Sequence, residues 1–352
     1  MHEEARVVTV AETWFGAWRG PSALRLSPAG IEVLDPFADA HLVGPGTPHL
    51  PGVVLAPFTD SHVHLGLIDP SRLPGGGIAR VVDLGWEPAT ASSWLADAPA
   101  VWPRVRIVGG LLCAPRGYPS ASGWAPPEAA IAVRDAPSAV AAVDRMREAG
   151  ATMVKITLNS DVGPVFSDAV LAAVVDAAHD LLLPVAAHVQ GVGQAGRALD
   201  AGVDVLAHTP FSERLPDDDV ARFALSTSWL STLDIHGYGA GGRAHRIAID
   251  NLSRFAAAGG RVVYGTDLGN GDLPLGVDER ELRALRRAGL DRDALLTALA
   301  PDAELEAAEP GPHLLERVTW IADDLPTDDD DAPAWLATAT ALTPDQLWEK
   351  TL

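Results

Sequence analysis

From Pro57 onward the chain alternates apolar runs of five to eight residues with Ala-rich stretches of helical period, and this rhythm restricts the fold more than any other feature. The runs FTDSHVH, ARVVDLG, VRIVGGLL, TMVKITL, PVAAHV, VDVLAH, WLSTLDI and RVVYGTD read as eight strands. Between them, SAVAAVDRMREAG stops at Gly150, SDAVLAAVVDAAHDL starts on Ser167 as an N-cap, GVGQAGRALDAG ends at Gly202, and NLSRFAAAGG precedes the last strand. Eight such units over about 210 residues fit a closed (β/α)8 TIM barrel, whose catalytic residues belong at the carboxyl ends of its strands. An open doubly wound sheet is the rival, but no GxGxxG follows a first strand and there is no P-loop.

The segment from Arg6 to Val54 has short apolar runs separated by Gly, Pro and polar residues, a β-rich pattern. After the barrel, VDERELRALRRAGL and RDALLTALA read as helices, and RVTWIADDL as a strand returning to the amino-terminal segment. The expected fold is therefore α/β: a barrel over residues 57–315, inserted into a small β-sandwich-like domain made of residues 1–56 and 316–352. Trp14, Trp18 and Trp320 are expected to fill that domain and its seam with the barrel.

A net charge of -21 disfavours nucleic acid and anionic membrane as partners, since both demand clustered Lys and Arg. The acid peaks in DDLPTDDDD and at Pro216 to Asp219, which read as solvated loops; a calcium loop would space its carboxylates with turn residues. Cys113 is the only cysteine, so no intramolecular disulfide forms, and it reads as a small core residue rather than a nucleophile. The start MHEEARVVTVAETW has neither a basic n-region nor a sustained apolar h-region, and no later window is apolar over a bilayer's thickness. A cytoplasmic enzyme acting on a small molecule is the resulting expectation, with homo-oligomerisation left open.

In DSHVHLG, His62 and His64 lie two apart on a strand, so both side chains leave one face and can reach one cation together. The other strand ends complete a set. Lys155 sits inside the apolar MVKITL, where an unpaired ammonium is costly to bury; His188 ends the fifth strand, His208 the sixth, and Asp267 the eighth. Each alone has a plain structural reading, as a snorkelling lysine, a hydrogen-bonded core histidine or a turn cap. Six together at strand ends point to a metal site.

FTDSHVH after a β-rich start, MVKITL, VAAHVQG, AGVDVLAH and YGTDLG together resemble the amidohydrolase superfamily over nearly the whole chain. GGLLCAPRGYP and AGVDVLAH look most like its branch of Xaa-Pro dipeptidases and imidazolonepropionase-like enzymes. The resemblance implies that His62, His64 and Asp267 hold a buried divalent metal and His188 and His208 a more exposed one, with Lys155 bridging them as a carbamate. It implies hydrolysis of an amide bond in a dipeptide, N-acyl amino acid or cyclic amide by a metal-bridging hydroxide, with Asp267 carrying the proton. Zinc suits such ligands, as do manganese, iron and nickel. A mononuclear deaminase would need an acid soon after His188, where only Gln190 and Gln194 stand; a lactonase or an inactive ligand-binding barrel shares the same scaffold.

Substrate contacts are expected from loops past the strands. Arg116 and Tyr118 in APRGYP are candidates for a substrate carboxylate, His236 for the oxyanion, and Asn159 and Ser160 for the wall of the site. Each also reads as ordinary loop structure. Glycine-rich HGYGAGGRAH is a lid or a flexible connection, and Asp60 is a candidate for orienting a ligand histidine.

Overall fold

The computed structural model describes residues 5–35, 37, 39–120, 122–303 and 314–352. The first four residues, and 304–313 just before the expected boundary at 316, lie outside the described residues. Strands β1 (Arg6–Trp14), β2 (Ser22–Ser27), β3 (Gly30–Val33) and β4 (His49–Leu55) come first. They are followed by β5 (Phe58–Val63), β6 (Ile78–Asp83), β7 (Arg104–Ile107), β8 (Leu111–Cys113), β9 (Ala130–Ala132), β10 (Val154–Asn159) and β11 (Val185–Gln190). Then come β12 (Val205–Leu206), β13 (Ser228–Leu230), β14 (Arg261–Val263), β15 (Val318–Ile321) and β16 (Thr340–Leu342).

The two chain ends meet in one six-stranded sheet, ordered β16-β15-β4-β1-β2-β3, in place of the two facing sheets of a sandwich. Here β15 pairs antiparallel with β4, and Trp320 donates its indole N–H to the Pro51 carbonyl at 2.8 Å. Trp14 is buried, while Trp18 donates to Asp293 at 2.9 Å, joining this sheet to the helix Arg292–Leu299.

The middle of the chain forms parallel sheets of seven strands (β14-β13-β12-β11-β10-β8-β9) and three (β5-β6-β7). The expected third strand, VRIVGGLL, is divided into β7 and β8. Gly109 has φ 72°, and the Gly110 amide donates to Met146 Sδ at 3.0 Å, so the backbone turns over a helix side chain between the two halves. Because Thr152 donates to the Ile107 carbonyl, β7 also touches the segment before β10. At the other margin, Ser61 donates to the Tyr264 carbonyl at 3.1 Å, His64 to Leu268 at 2.8 Å, and Leu268 back to His62 at 3.2 Å. Both margins of the small sheet are thereby joined to the large one.

Helices follow the expected apolar stretches: Ala136–Glu148, Asp168–Asp180 with Ser167 as its cap, and Gln194–Asp200. The helix before β14 runs Arg243–Ala257, beginning eight residues earlier than the apolar period alone suggests. It buries Phe255 face-to-face on Trp229 at 3.9 Å. A separate apolar cluster, Val82, Leu84, Val108, Ala207, Leu230 and Val263, draws one or two residues from each of several strands or their ends. No helix among the described residues is long and apolar enough to cross a membrane.

Candidate metal centre

Period-two alternation puts Lys155, Thr157 and Asn159 on one face of β10. Parallel register sets Thr157 opposite His188 and Asn159 opposite Gln190. On β5 the same alternation aligns Asp60, His62 and, just past the strand, His64. His208 follows β12, where the chain leaves the sheet. Asp267 follows β14 in the left-handed region, φ 61°, a conformation that costs an aspartate strain and holds its carboxylate in one direction. At Gly265 a Cβ would lie 3.0 Å from the His62 Cβ, so glycine lets the segment after β14 approach β5 without displacing His62.

The six residues named from strand ends, His62, His64, Lys155, His188, His208 and Asp267, line one small cavity of about 20 Å³ together with Leu111, Tyr118, Trp124 and Asn270. All six are buried. Oxygen and nitrogen atoms of His62, His208 and Asp267 lie within 4.8 Å of one another.

The ring tautomers follow from their partners. His62 Nδ1 faces the Ala207 carbonyl at 2.8 Å and His64 Nδ1 faces the Gly85 carbonyl at 3.0 Å. A carbonyl oxygen only accepts, so each Nδ1 carries a hydrogen and each neutral ring offers a lone pair at Nε2. Those two Nε2 atoms both sit 3.2 Å from Asp267 Oδ1. Lone pairs therefore face a carboxylate oxygen, a repulsive arrangement unless a cation lies among them or the rings take a second proton. Burial opposes that second proton, pushing His62 and His208 well below their ordinary value and His188 down to about 4. His208 completes the pattern through Nδ1 and the Thr232 hydroxyl at 2.9 Å. Histidines fixed by an acceptor on one nitrogen and free on the other are the arrangement that metal ligands adopt.

Burial would raise Asp267, and the His62, His64 and His208 rings hold its carboxyl well below the carboxylate range only through positive charge, either their own second protons or a cation set among them. Asn270 donates to the same Oδ1 at 3.0 Å, and among the described residues no donor reaches Oδ2. Burial also brings Lys155 down to about 7, against the opposing pull of Asp267 and Asp83. Among the described residues nothing hydrogen-bonds its amine. The donor set therefore fits a divalent cation: neutral imidazoles, an ionised carboxylate and an amine able to lose its proton.

Two further carboxylates fix the frame. Asp60 accepts from the amides of His62 and Thr266, each at 3.1 Å, and from the Thr266 hydroxyl, so it pins backbone rather than a ring. Asp83 does the same for the His64 turn, accepting from Leu65 at 2.8 Å and Gly85 at 3.1 Å. Burial pushes Asp60 up to about 7 and Asp83 up to about 6.

The expected substrate residues divide. Tyr118 stacks on His188, ring centres 4.9 Å apart, and Asn159 donates toward His188 Nε2 at 3.3 Å and to Gln190 at 2.9 Å. Arg116, at φ 63°, is exposed and does not line the cavity. His236 is also absent from the lining; its ring packs on Phe211 at 4.2 Å, and its Nε2 is buried without a partner. Ser160 donates to the Gln190 carbonyl. Trp124, Asn270 and Asp83 were not singled out from sequence. Trp124 lies in a long aperiodic loop, and only the position of Asp83 at the end of a strand hinted at its role.

No family model and no curated protein matches the sequence. Solved structures do share the fold. One described as a Xaa-Pro dipeptidase with bound methionine superposes with a TM-score of 0.75 at 15% identity, covering 97% of this chain and 99% of that one. The ochratoxinase of A. niger gives 0.73 at 18% identity, over 97% and 95%. A bottromycin amidohydrolase gives 0.67 at 19% identity, over 98% and 88%. The chain thus has the mixed α/β fold, with parallel sheets curled around the site, of proteins described as dipeptidases and amidohydrolases.

Proposed function

We propose that this chain is a metal-dependent hydrolase of the amidohydrolase superfamily, cleaving a C–N amide bond in a small substrate. The proposal takes the two parallel sheets as one closed (β/α)8 barrel over residues 57–315, and the terminal sheet as a domain of residues 1–56 and 316–352. What carries it is the meeting of two Nε2 atoms, each on a ring whose Nδ1 is taken by a backbone carbonyl, with one carboxylate oxygen, an arrangement that a cation resolves.

His62, His64 and Asp267 would hold one divalent metal, and His188 and His208 a second. Lys155 would serve between them as a carbamate. A lysine brought down to about 7 is partly neutral amine at neutral pH. That amine nitrogen bonds to the carbon of carbon dioxide and releases one proton, which leaves an anionic carboxylate in place of an ammonium. When bound, the metals supply Lewis acidity and lower the pKa of water. Asp267 Oδ2, the oxygen left free of donors, takes the proton of the attacking water and returns it to the leaving nitrogen. Asn270 keeps the other oxygen fixed while this happens. Tyr118 and Asn159 border the substrate, and His236 stands one layer out behind Phe211. A cytoplasmic setting agrees with a chain whose one cysteine is buried.

Elemental analysis of protein purified without chelator and with bicarbonate tests the reading. About two metals per chain are expected, zinc first and manganese, iron or nickel as alternatives, with amine released from an amide panel. Protein that takes up no metal on reconstitution would overturn it.

A further inference from the structure

The amide-hydrolase reading leaves open which amides fit, and the walls of the cavity narrow the choice. Tyr118 and Trp124 come from the same loop after β8, and their rings lie over two of the candidate ligands: Tyr118 on His188 at 4.9 Å and Trp124 on His64 at 4.6 Å. The Trp124 indole N–H is buried beside the Tyr118 hydroxyl. The cavity thus presents aromatic faces to whatever enters.

Among the lining residues Lys155 is the one cation, and it is 2% exposed and part of the ligand set. Among the described residues no arginine lines the cavity. Arg116, two residues from Tyr118 in sequence, is turned outward. A free carboxylate entering beside the scissile bond would lose its water without gaining the guanidinium fork that normally compensates it.

Beside the lining residues, Leu67 and Tyr238 are 39% and 41% exposed, on the stretches following β5 and β13. Tyr238 donates to the carbonyl of Asn270, a lining residue, and a Cβ on Gly269, two residues past Asp267, would meet Leu67 at 3.1 Å. Exposed aliphatic and aromatic side chains gathered at the strand ends recognise apolar groups rather than charge.

We infer that this site takes amides whose groups on both sides of the scissile bond are apolar or aromatic and uncharged, and that it discriminates against a free carboxylate on the amine side. Tyr118 and Trp124 are its specificity residues, clasping the apolar group with their rings. This rests on the function proposed above but is tested separately from it.

The test compares two ligands that differ by one carboxylate: N-phenylacetyl-pyrrolidine and N-phenylacetyl-proline. Turnover is followed with zinc-loaded protein, and binding by calorimetry with both zinc-loaded and metal-free protein. The pyrrolidide is expected to be favoured by about tenfold or more in kcat/KM and in Kd. Trp124→Ala should shrink that preference, while Trp124→Phe, which keeps a ring, should keep most of it. Equal or tighter binding of the proline compound overturns the inference, as does failure of both to bind. Tight, selective binding of the pyrrolidide without cleavage of either compound upholds the inference and rejects the hydrolase reading instead.

Discussion

Two groups of buried ionisable side chains lie close together in sequence yet behave in opposite ways. Around Asp267, neutral imidazoles, a carboxylate and an amine point their free atoms into a common void. Around Glu281, in the helix Glu279–Arg287, most polar atoms pair within the cluster, and within it, among the described residues, only Asp278 Oδ2 and Glu281 Oε1 are left without a hydrogen-bond partner. Arg280 pairs with Asp234 at 2.8 Å and donates its amide to Asp278 at 2.8 Å, and Glu281 Oε2 accepts from the Asp234 amide at 2.7 Å. Burial pushes Glu281 up to about 8 and Asp278 up to about 6, so protonation relieves what pairing leaves over. In the first group the Nε2 atoms of His62 and His64 instead converge on Asp267 Oδ1 beside a shared void, an arrangement that a cation would balance. Burial of charge alone therefore does not mark a functional site; convergence of unsatisfied donors and acceptors on shared space does.

Lys155→Ala is the substitution that should break this contrast most completely. It removes the amine set between the two ligand groups, and the expected outcome is loss of amide hydrolysis together with loss of bound metal. Circular dichroism should stay native, because alanine removes a polar group whose burial is costly. Full turnover with metal retained would show Lys155 to be a structural residue like those around Glu281.

Asp267→Asn keeps the shape and removes the charge. Turnover should fall by about 10²- to 10⁴-fold, the range of a lost general acid–base, with substrate still bound. Calorimetry beside steady-state kinetics separates the two effects. An unchanged rate would transfer the proton to another group.

The comparison also explains what could be read from the sequence. Ligand candidates stood out because each is a polar residue at the end of an apolar run, and strand periodicity fixes which way it faces. Asp278 and Glu281 did not stand out. In VDERELRALRRAGL they are two charges among many, and nothing local tells which carboxylate the fold will bury. Local pattern also failed at the last turns of the strands. WLSTLDI keeps strand geometry only through Leu230, since Thr232 adopts φ 43° and Asp234–His236 coils, which carries His236 out of the cavity wall. Likewise Trp124 and Asn270 reach the site through loops whose course is set by distant contacts, such as the Thr157 hydroxyl donating to the Tyr118 carbonyl. Arg116 and Tyr118 looked equivalent in APRGYP, but the left-handed backbone at Arg116 sends the two to different places.

Asp60→Ala tests whether the frame belongs with the site. It strips the acceptor from the buried amides of His62 and Thr266, a cost of about 1–3 kcal/mol for each orphaned group. Since those amides sit at His62 and next to Asp267, metal affinity should drop by about 10- to 100-fold, measured by competition with a chelator. Lower melting temperature with unchanged metal affinity would assign Asp60 to stability alone.

The smallest expected effect comes from the group around Glu281. Glu281 has its pKa raised from 4.5 to about 8 by burial, so between those values the folded chain keeps a proton that the unfolded chain has released. The unfolded state then binds fewer protons, and stability falls as pH rises through that window, by about 1.4 kcal/mol per pH unit for one group. Below the window both states are protonated, and above it both are ionised, so the loss is confined to it. Glu281→Gln cannot ionise and keeps the oxygen that accepts from Asp234. The variant should match the parent near pH 4.5, gain on it steadily toward pH 8, and hold a constant lead beyond, with denaturant midpoints measured across the range. Parallel curves for the two proteins would mean that Glu281 is already ionised when folded, with its charge balanced inside the cluster.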